Sequence, residues 1–420
     1  MTATSLNPEQ ELMLRLVQVR EARADQAELI RELARAVDYE RLHTMLVSHK
    51  LLSLVGARLL ATANGSVPAD FRYLVERALQ GGRASAALLL QMTDRFTHAL
   101  EEAGVPVVAL KGPALSSRLY GDPALRTSFD VDLLVEPERF HTAREVLAAE
   151  GYESPTPRDW TAGLPIFETS LVPQKPWLPP IDLHWRVHWY ETGYSGMLVR
   201  NAAVGPDGVR ELDPIDDLTV MLLIYARDGF HGLRLAGDVA AWWDVHGASL
   251  DRPPLDRAVE RHPAVAKALR TAVAVVDRVV GVPAERLLSR PNLDGRALTA
   301  AQRLANWSYE GDERRRIATV SLVDALLTPS GGSRQYVRRH LLPPRPVIRQ
   351  LYDIPQGARV RTALRRAWYG SSMTVEFAPR FAAALWQVRG RRELAPVPPA
   401  KRNQREQAPL AAPVVSVGAE

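Results

Sequence analysis

The spacing of apolar positions divides the chain into helical ends around a short, strand-like middle. After Asn7 and Pro8, a capping residue followed by a helix-opening proline, apolar residues recur through Leu12, Leu16 and Val19. Further helical patterns run over Ala27–Ala36, Tyr39–Val47 and Phe71–Ala103, the last interrupted by Gly81 and Gly82. Gly104 stands where a helix-ending glycine would.

From Val105 the period changes. Val105–Leu110 is an apolar, β-branched run between glycines and predicts a strand; Pro113 opens a helix to about Tyr120, which Gly121, Asp122 and Pro123 end. Val131–Val135 predicts a strand, Pro137–Glu150 a helix, and Ile166–Val172 a strand within a proline-rich stretch. Ile181–His188 alternates apolar and polar with period two. Helical spacing returns after Asp213 and Pro214, with Leu218, Met221, Leu222 and Tyr225, and continues over Gly237–His246, Leu255–Val280, Ala297–Trp307 and Thr319–Leu327. Arg334–Arg366 is basic, with helical pieces broken by prolines, and Leu394–Glu420 reads as a disordered Pro/Ala-rich basic tail. The expectation is an α+β fold. A small mixed sheet in an α/β core over residues 105–212 is flanked by helical regions at 1–104 and 213–393, with the tail at 394–420.

Composition narrows this picture. A chain of 420 residues with 46% hydrophobic content can build sizeable cores. It has no cysteine, which excludes disulfides, thiolate metal sites and a cysteine nucleophile. No signal peptide is read at the N-terminus, and no apolar run approaches the roughly 20 residues that span a bilayer, so a cytoplasmic protein is expected. The net charge of +5 is uneven: beyond Gly331 there are 16 Lys and Arg against 5 Asp and Glu, leaving 37 against 43 in the first 330 residues. The basic end could meet an anionic partner such as nucleic acid, a partner that is allowed but not favoured, or simply form solvated helix faces.

The chemistry concentrates in the middle. Residues two apart on a strand share a face, so Asp130 and Asp132 project together while Val131, Leu133 and Val135 turn the other way. Such a pair is either solvated or held together by a cation, for which Mg²⁺ is the natural choice. Asp182 lies on a second alternating strand, with His184 on its face, and could add a third carboxylate; three carboxylates can hold two metal ions for in-line attack on phosphorus. Glu168 is a substitute should Asp182 point away. The Lys111-Gly112-Pro113 turn, running from strand into helix, offers an anion site, with Ser116 and Ser117 as further donors and Arg126 close enough to reach phosphate or an aspartate.

The run LKGPALSSRLYGDPALRTSFDVDLLV, the helix ending EGY and the strand IDLHWRV together resemble the uncharacterised nucleotidyltransferase family of bacteria, a branch of the polymerase-β-like superfamily. Lys111, Gly112, Tyr120, Arg126, Asp130, Asp132, Asp182, His184 and Trp185 match in place. Pro113 and Phe129 depart from the pattern, the former removing a backbone donor from the phosphate turn. The resemblance implies a Mg²⁺-dependent enzyme with Asp130, Asp132 and Asp182 as catalytic residues and metal ligands, two ions, and Lys111, Gly112, Ser116, Arg126 and His184 on the nucleotide. It implies transfer of a nucleoside monophosphate from a triphosphate such as ATP to an acceptor, a peptide, protein, sugar or small molecule. A non-catalytic scaffold of the same fold that binds nucleotide or peptide is the alternative. His231 is expected to cap or pack, or else to reach phosphate, and Trp242 and Trp243 to pack in a helical core.

Overall fold

Side-chain caps fix where the first helices begin. Asn7 Oδ1 accepts from the Gln10 amide at 2.8 Å while Gln10 Oε1 returns to the Asn7 amide at 3.2 Å, a reciprocal cap that starts α1 (Pro8–Val17). Short helices α2 (Arg20–Asp25) and α3 (Ala27–Ala36) follow, then α4 (Tyr39–Ser48), capped by Asp38, and α5 (Leu52–Ala63). The structure, a computed structural model, describes residues 6–154, 167–188, 191, 193–206, 208–290 and 354–390, with isolated positions between 327 and 352.

Helix α6 (Ala69–Glu102) runs unbroken through Gly81 and Gly82, where an interruption was expected. A Cβ on Gly82 would stand 3.2 Å from the Ala124 Cβ, so this glycine admits a close neighbour instead of ending the helix. The helical loss of about 1 kcal/mol at each glycine is outweighed by the buried stripe Phe71, Val75, Ala86, Leu89, Met92, Phe96 and Leu100.

The central unit comprises β1 (Val107–Ala109), α7 (Pro113–Tyr120), β2 (Val131–Val135), α8 (Phe140–Ala149), β3 (Tyr152–Glu153), β4 (Glu168–Pro173), β5 (Ile181–His184), α9 (Tyr194–Asn201), β6 (Ala203–Val204) and β7 (Arg210–Glu211). The sheet is mixed as expected but has seven strands, in the order β3-β4-β5-β2-β1-β7-β6, because three two-residue strands too short to carry a period extend it. Strand β5 stops at His184, four residues before the expected end. The amides of Trp185 and Arg186 both turn to the Phe167 carbonyl, at 3.0 and 3.3 Å, which breaks the regular ladder.

Every residue of β2 is buried, so both faces of the sheet are covered. On one face Val107, Val131, Leu133, Ile181 and Leu183 pack with Phe96 and Leu100 of α6 and Phe140 and Leu147 of α8. On the other, Val108, Leu110 and Leu134 join a larger core that draws on α1 to α5 and on the C-terminal helices. Those are α10 (Pro214–Arg227), α11 (Arg234–His246), α12 (Asp256–Arg261), α13 (Pro263–Val280) and α14 (Ala284–Leu287). Helix α10 is buried all round from Asp217 to Arg227 and forms the centre of this core; Trp242 packs there and donates its indole N–H to the Pro214 carbonyl at 2.7 Å. The expected single helix Leu255–Val280 is two helices, since Pro263 forces His262 out of helical geometry (φ −126°, ψ 72°). A long helix α15 (Arg359–Gly390), with Pro379 inside it, lies within the helical region expected over 213–393, although no separate element was read beyond Arg366. The patterns over Ala297–Trp307, most of Thr319–Leu327 and the tail from Leu394 lie outside the described residues, as does most of Arg334–Arg366 before α15. No helix among the described residues is long and apolar enough to cross a membrane.

Two ion pairs tie α7 and the loop after it to the helical core. Arg118 meets Asp217 of α10 at 2.7 Å. Arg126 Nε donates to Asp238 Oδ2 of α11 at 2.9 Å, with both side chains almost fully buried, and Tyr120 Oη donates to Asp238 Oδ1 at 2.8 Å. Removing one partner of such a buried pair strands the other. Asp238→Ala is expected to lower the unfolding free energy by about 3–5 kcal/mol, read from urea denaturation followed by circular dichroism.

Candidate active site

The register of the sheet assembles the site. Strands β2 and β5 run parallel with Asp132 opposite Asp182 and Leu134 opposite His184. Strand β4 runs antiparallel to β5 with Glu168 opposite His184 and Ser170 opposite Asp182. Residues paired across strands share a face, so Asp132, Asp182, His184, Glu168 and Ser170 form one polar patch on an otherwise apolar surface. The turn after β1 adds Lys111: the Leu110 amide donates to the Asp132 carbonyl at 3.1 Å, which brings the next side chain over the patch.

A chain of charges crosses this patch. Lys111 Nζ lies 2.7 Å from Asp132 Oδ1, the same oxygen that lies 3.0 Å from His184 Nε2, and His184 Nδ1 lies 3.0 Å from Glu168 Oε2. Burial alone would push the Asp132 carboxyl up, but the Lys111 ammonium and the His184 hydrogen bond hold it well below the ordinary carboxylate range. Burial lowers His184, and the carboxylates of Glu168 and Asp132 more than reverse this, so its pKa is raised. Glu168 is lowered: burial pushes it up, and His184 and Arg227 pull it further down. Asp182 moves the other way. Burial pushes it up, the Ser170 hydroxyl, donating to Oδ1 at 2.6 Å, opposes this, and the charges of Glu168 and Asp132 raise it again.

The expected residues fall into two groups. Asp132, Asp182 and Lys111 converge, and Asp130 precedes β2, half-buried, with no hydrogen bond or ion pair on its carboxylate among the described residues. Gly112 forms the turn with φ +91°, a conformation that side chains resist, and starts α7. Ser116, expected on phosphate, is instead fully buried; its hydroxyl donates to the Asp122 carbonyl at 2.8 Å and accepts from the Arg126 amide at 3.0 Å, which fixes the loop. Arg126 is buried against Asp238, although its Nη2 has no hydrogen-bond partner among the described residues. His184 is buried between two carboxylates, 3.0 Å from Asp132 and 3.0 Å from Glu168. His231 lies in the turn between α10 and α11.

Sequence reasoning missed Lys50 and Arg234, whose charges reach Asp130 from the ends of α4 and α11. Neither stands in a motif, and only the packing of helices distant in sequence brings them here. It also kept Glu168 as a substitute for Asp182, whereas both are present, Glu168 as the partner of His184.

Among the described residues, no three acidic or histidine side chains are arranged to hold a metal ion. The donor chemistry nonetheless suits a hard divalent cation. The free carboxylates are oxygen ligands only, and the Lys111 ammonium against Asp132 occupies the place of a compensating positive charge.

The model of the uncharacterised nucleotidyltransferase family matches residues 35–281, more than half of the chain and all of the site, and the chain belongs to that family. No curated protein and no solved structure matches it.

His188, just beyond β5, is buried with no hydrogen bond at either ring nitrogen among the described residues, and burial, with Arg227 nearby, lowers its pKa to about 3. The unfolded chain takes up this proton near pH 6.5, so the stability that neutral His188 permits is complete above that pH and is lost as pH falls towards 3. The loss attributable to this group at pH 5 is about 2 kcal/mol. His188→Leu is therefore expected to flatten the fall in unfolding free energy between pH 7 and pH 5, measured by urea titration at each pH.

Proposed function

We propose that this protein transfers a nucleoside monophosphate from a nucleoside triphosphate, with adenosine triphosphate as the first donor to test, onto an acceptor, with pyrophosphate leaving. The observation that supports this reading most is the parallel register of Asp132 against Asp182 beside the Lys111-Gly112 turn. Asp130 and Asp132 would hold Mg²⁺, with Asp182 paired opposite Asp132 on the neighbouring strand. When bound, Mg²⁺ supplies Lewis-acid polarisation of the phosphates and neutralises charge that develops on the leaving group.

The side chains do the rest. Lys111 moves from Asp132 to a phosphate oxygen, an exchange of one oxyanion for another. The backbone at Gly112 and the start of α7 face the triphosphate with partial positive charge, with one amide fewer than usual because Pro113 follows. His184, fixed by Glu168, keeps Asp132 oriented while Lys111 is away. The acceptor's hydroxyl or other nucleophile bonds to the α-phosphorus as the bond from that phosphorus to the bridging oxygen breaks. The acceptor proton passes to Asp182, whose pKa is raised by burial, which makes it a stronger base than an ordinary carboxylate.

A second reading, a scaffold that binds nucleotide without turnover, draws support from the internal neutralisation of Asp132 by Lys111 and His184 and from Pro113. Pyrophosphate release separates the two. With Mg²⁺, nucleoside triphosphates and an extract as the acceptor source, the wild type is expected to release pyrophosphate. Asp130→Asn and Asp132→Asn should each slow release by about a hundredfold or more. Lys111→Met should mainly raise the KM for the triphosphate, about tenfold. Mg²⁺-dependent binding by calorimetry with no release above the double variant Asp130→Asn, Asp132→Asn would instead support the scaffold.

A further inference from the structure

A cavity of about 270 Å³ opens between the end of α4, the start of α5, α6 and the loop that leads into β2. Phe129 and Pro113 both line it, so it borders Asp130 on one side and the phosphate turn on the other. Its walls are mostly apolar, from Leu46, Leu52 and Leu89, and the small residues Ala78, Gly81 and Ser85 of α6 leave it open.

The charges around it have one sign. Lys50, Arg77 and Arg126 line it, and among the described residues no Asp or Glu does. Lys50 makes no ion pair among the described residues and rests over the Phe129 ring, 5.1 Å from its centre, on a backbone held at φ +56°, a conformation seldom adopted outside glycine. Burial lowers the Lys50 pKa, the neighbouring Arg234 lowers it further, Asp130 pulls it back, and Lys111 and Arg126 lower it again. Arg126 spends Nε on Asp238 and Nη1 on Ser128, and its Nη2 is buried with no hydrogen-bond partner among the described residues. Cations crowded together with an unmet buried donor describe a place that lacks an anion.

We infer that this cavity is the acceptor subsite, and that the acceptor carries an oxyanion on an apolar body, with the acid group at Lys50 and Arg126 and the apolar part between α4 and α6. This rests on the nucleotidyl-transfer reading above and deepens it. The apolar walls favour an organic acid of roughly amino-acid size over a sugar, whose hydroxyl groups would find few partners there. The anion could also come from the triphosphate tail, and the experiment separates the two sources.

The probe is 3-phenylpropanoate, with 3-phenylpropanamide as its neutral match, and binding to the full chain is read by saturation-transfer NMR and calorimetry. The acid is expected to bind at least tenfold more tightly than the amide, and Lys50→Met is expected to remove that preference. Gly81→Leu fills the cavity: a Cβ at Gly81 meets no atom within 4 Å and leucine favours helix, so the variant folds, as its melting curve verifies, and binding of the acid is expected to fall at least tenfold. Pyrophosphate added to the wild type is expected to leave the acid bound. Equal affinity for acid and amide, unchanged binding in folded Gly81→Leu protein, or displacement of the acid by pyrophosphate would each overturn the assignment, the last by giving the cavity to the triphosphate. No turnover enters this measurement, so it can fail while pyrophosphate release depends on Asp130 and Asp132 as proposed, and the reverse also holds.

Discussion

A carboxylate buried in the middle of a sheet must be given positive charge, and in this fold Asp132 receives it twice on one oxygen, from Lys111 and from His184. Much else follows from that requirement. Lys111 can arrive only if β1 pairs with β2 in the observed register, His184 only if β5 lies parallel to β2, and Glu168 on β4 stands at the other nitrogen of His184 and helps to raise its pKa. Four strands are thus held in register by one chain of charges. A shift of one residue would turn every member of that chain to the opposite, apolar face.

The helical regions contribute containment and supply. Helix α10, buried on all sides, and the helices around it cover the face of the sheet beyond the patch, so that the carboxylates sit at the edge of a core instead of in open water. Asp238 gathers Tyr120 and Arg126, and Asp217 takes Arg118, which sets α7 and the loop into β2 against α10 and α11. The same helices bring Lys50 and Arg234 towards Asp130. Part of the positive field around the site therefore comes from residues far away in sequence.

The legible parts of the sequence were those governed by short periods and strong local signals. Strand β2 and helix α7 lie where the alternation around Asp132 and the Pro113 and Gly121 boundaries put them, and the two strands bearing Asp132 and Asp182 are neighbours as the motif required. The limits were physical. Strands of two residues carry no period, and a glycine pair inside α6 reads as a break until Ala124 is seen against Gly82. Ser116 and Arg126 look like phosphate ligands by spacing, yet each is claimed by a buried partner that only tertiary packing reveals. Lys50 carried no signal at all, since its meaning depends on a contact with a loop eighty residues further on.

The most direct test of the central claim is to follow the phosphorus. Protein, Mg²⁺ and an acceptor extract are incubated with adenosine triphosphate labelled at the α-phosphate and, separately, at the γ-phosphate, with Asp132→Asn protein as the control. Wild-type protein is predicted to move the α-label onto the acceptor and the γ-label into pyrophosphate, with neither transfer in the variant. Movement of the γ-label onto the acceptor, or α-label transfer that survives loss of the Asp132 charge, would contradict the account.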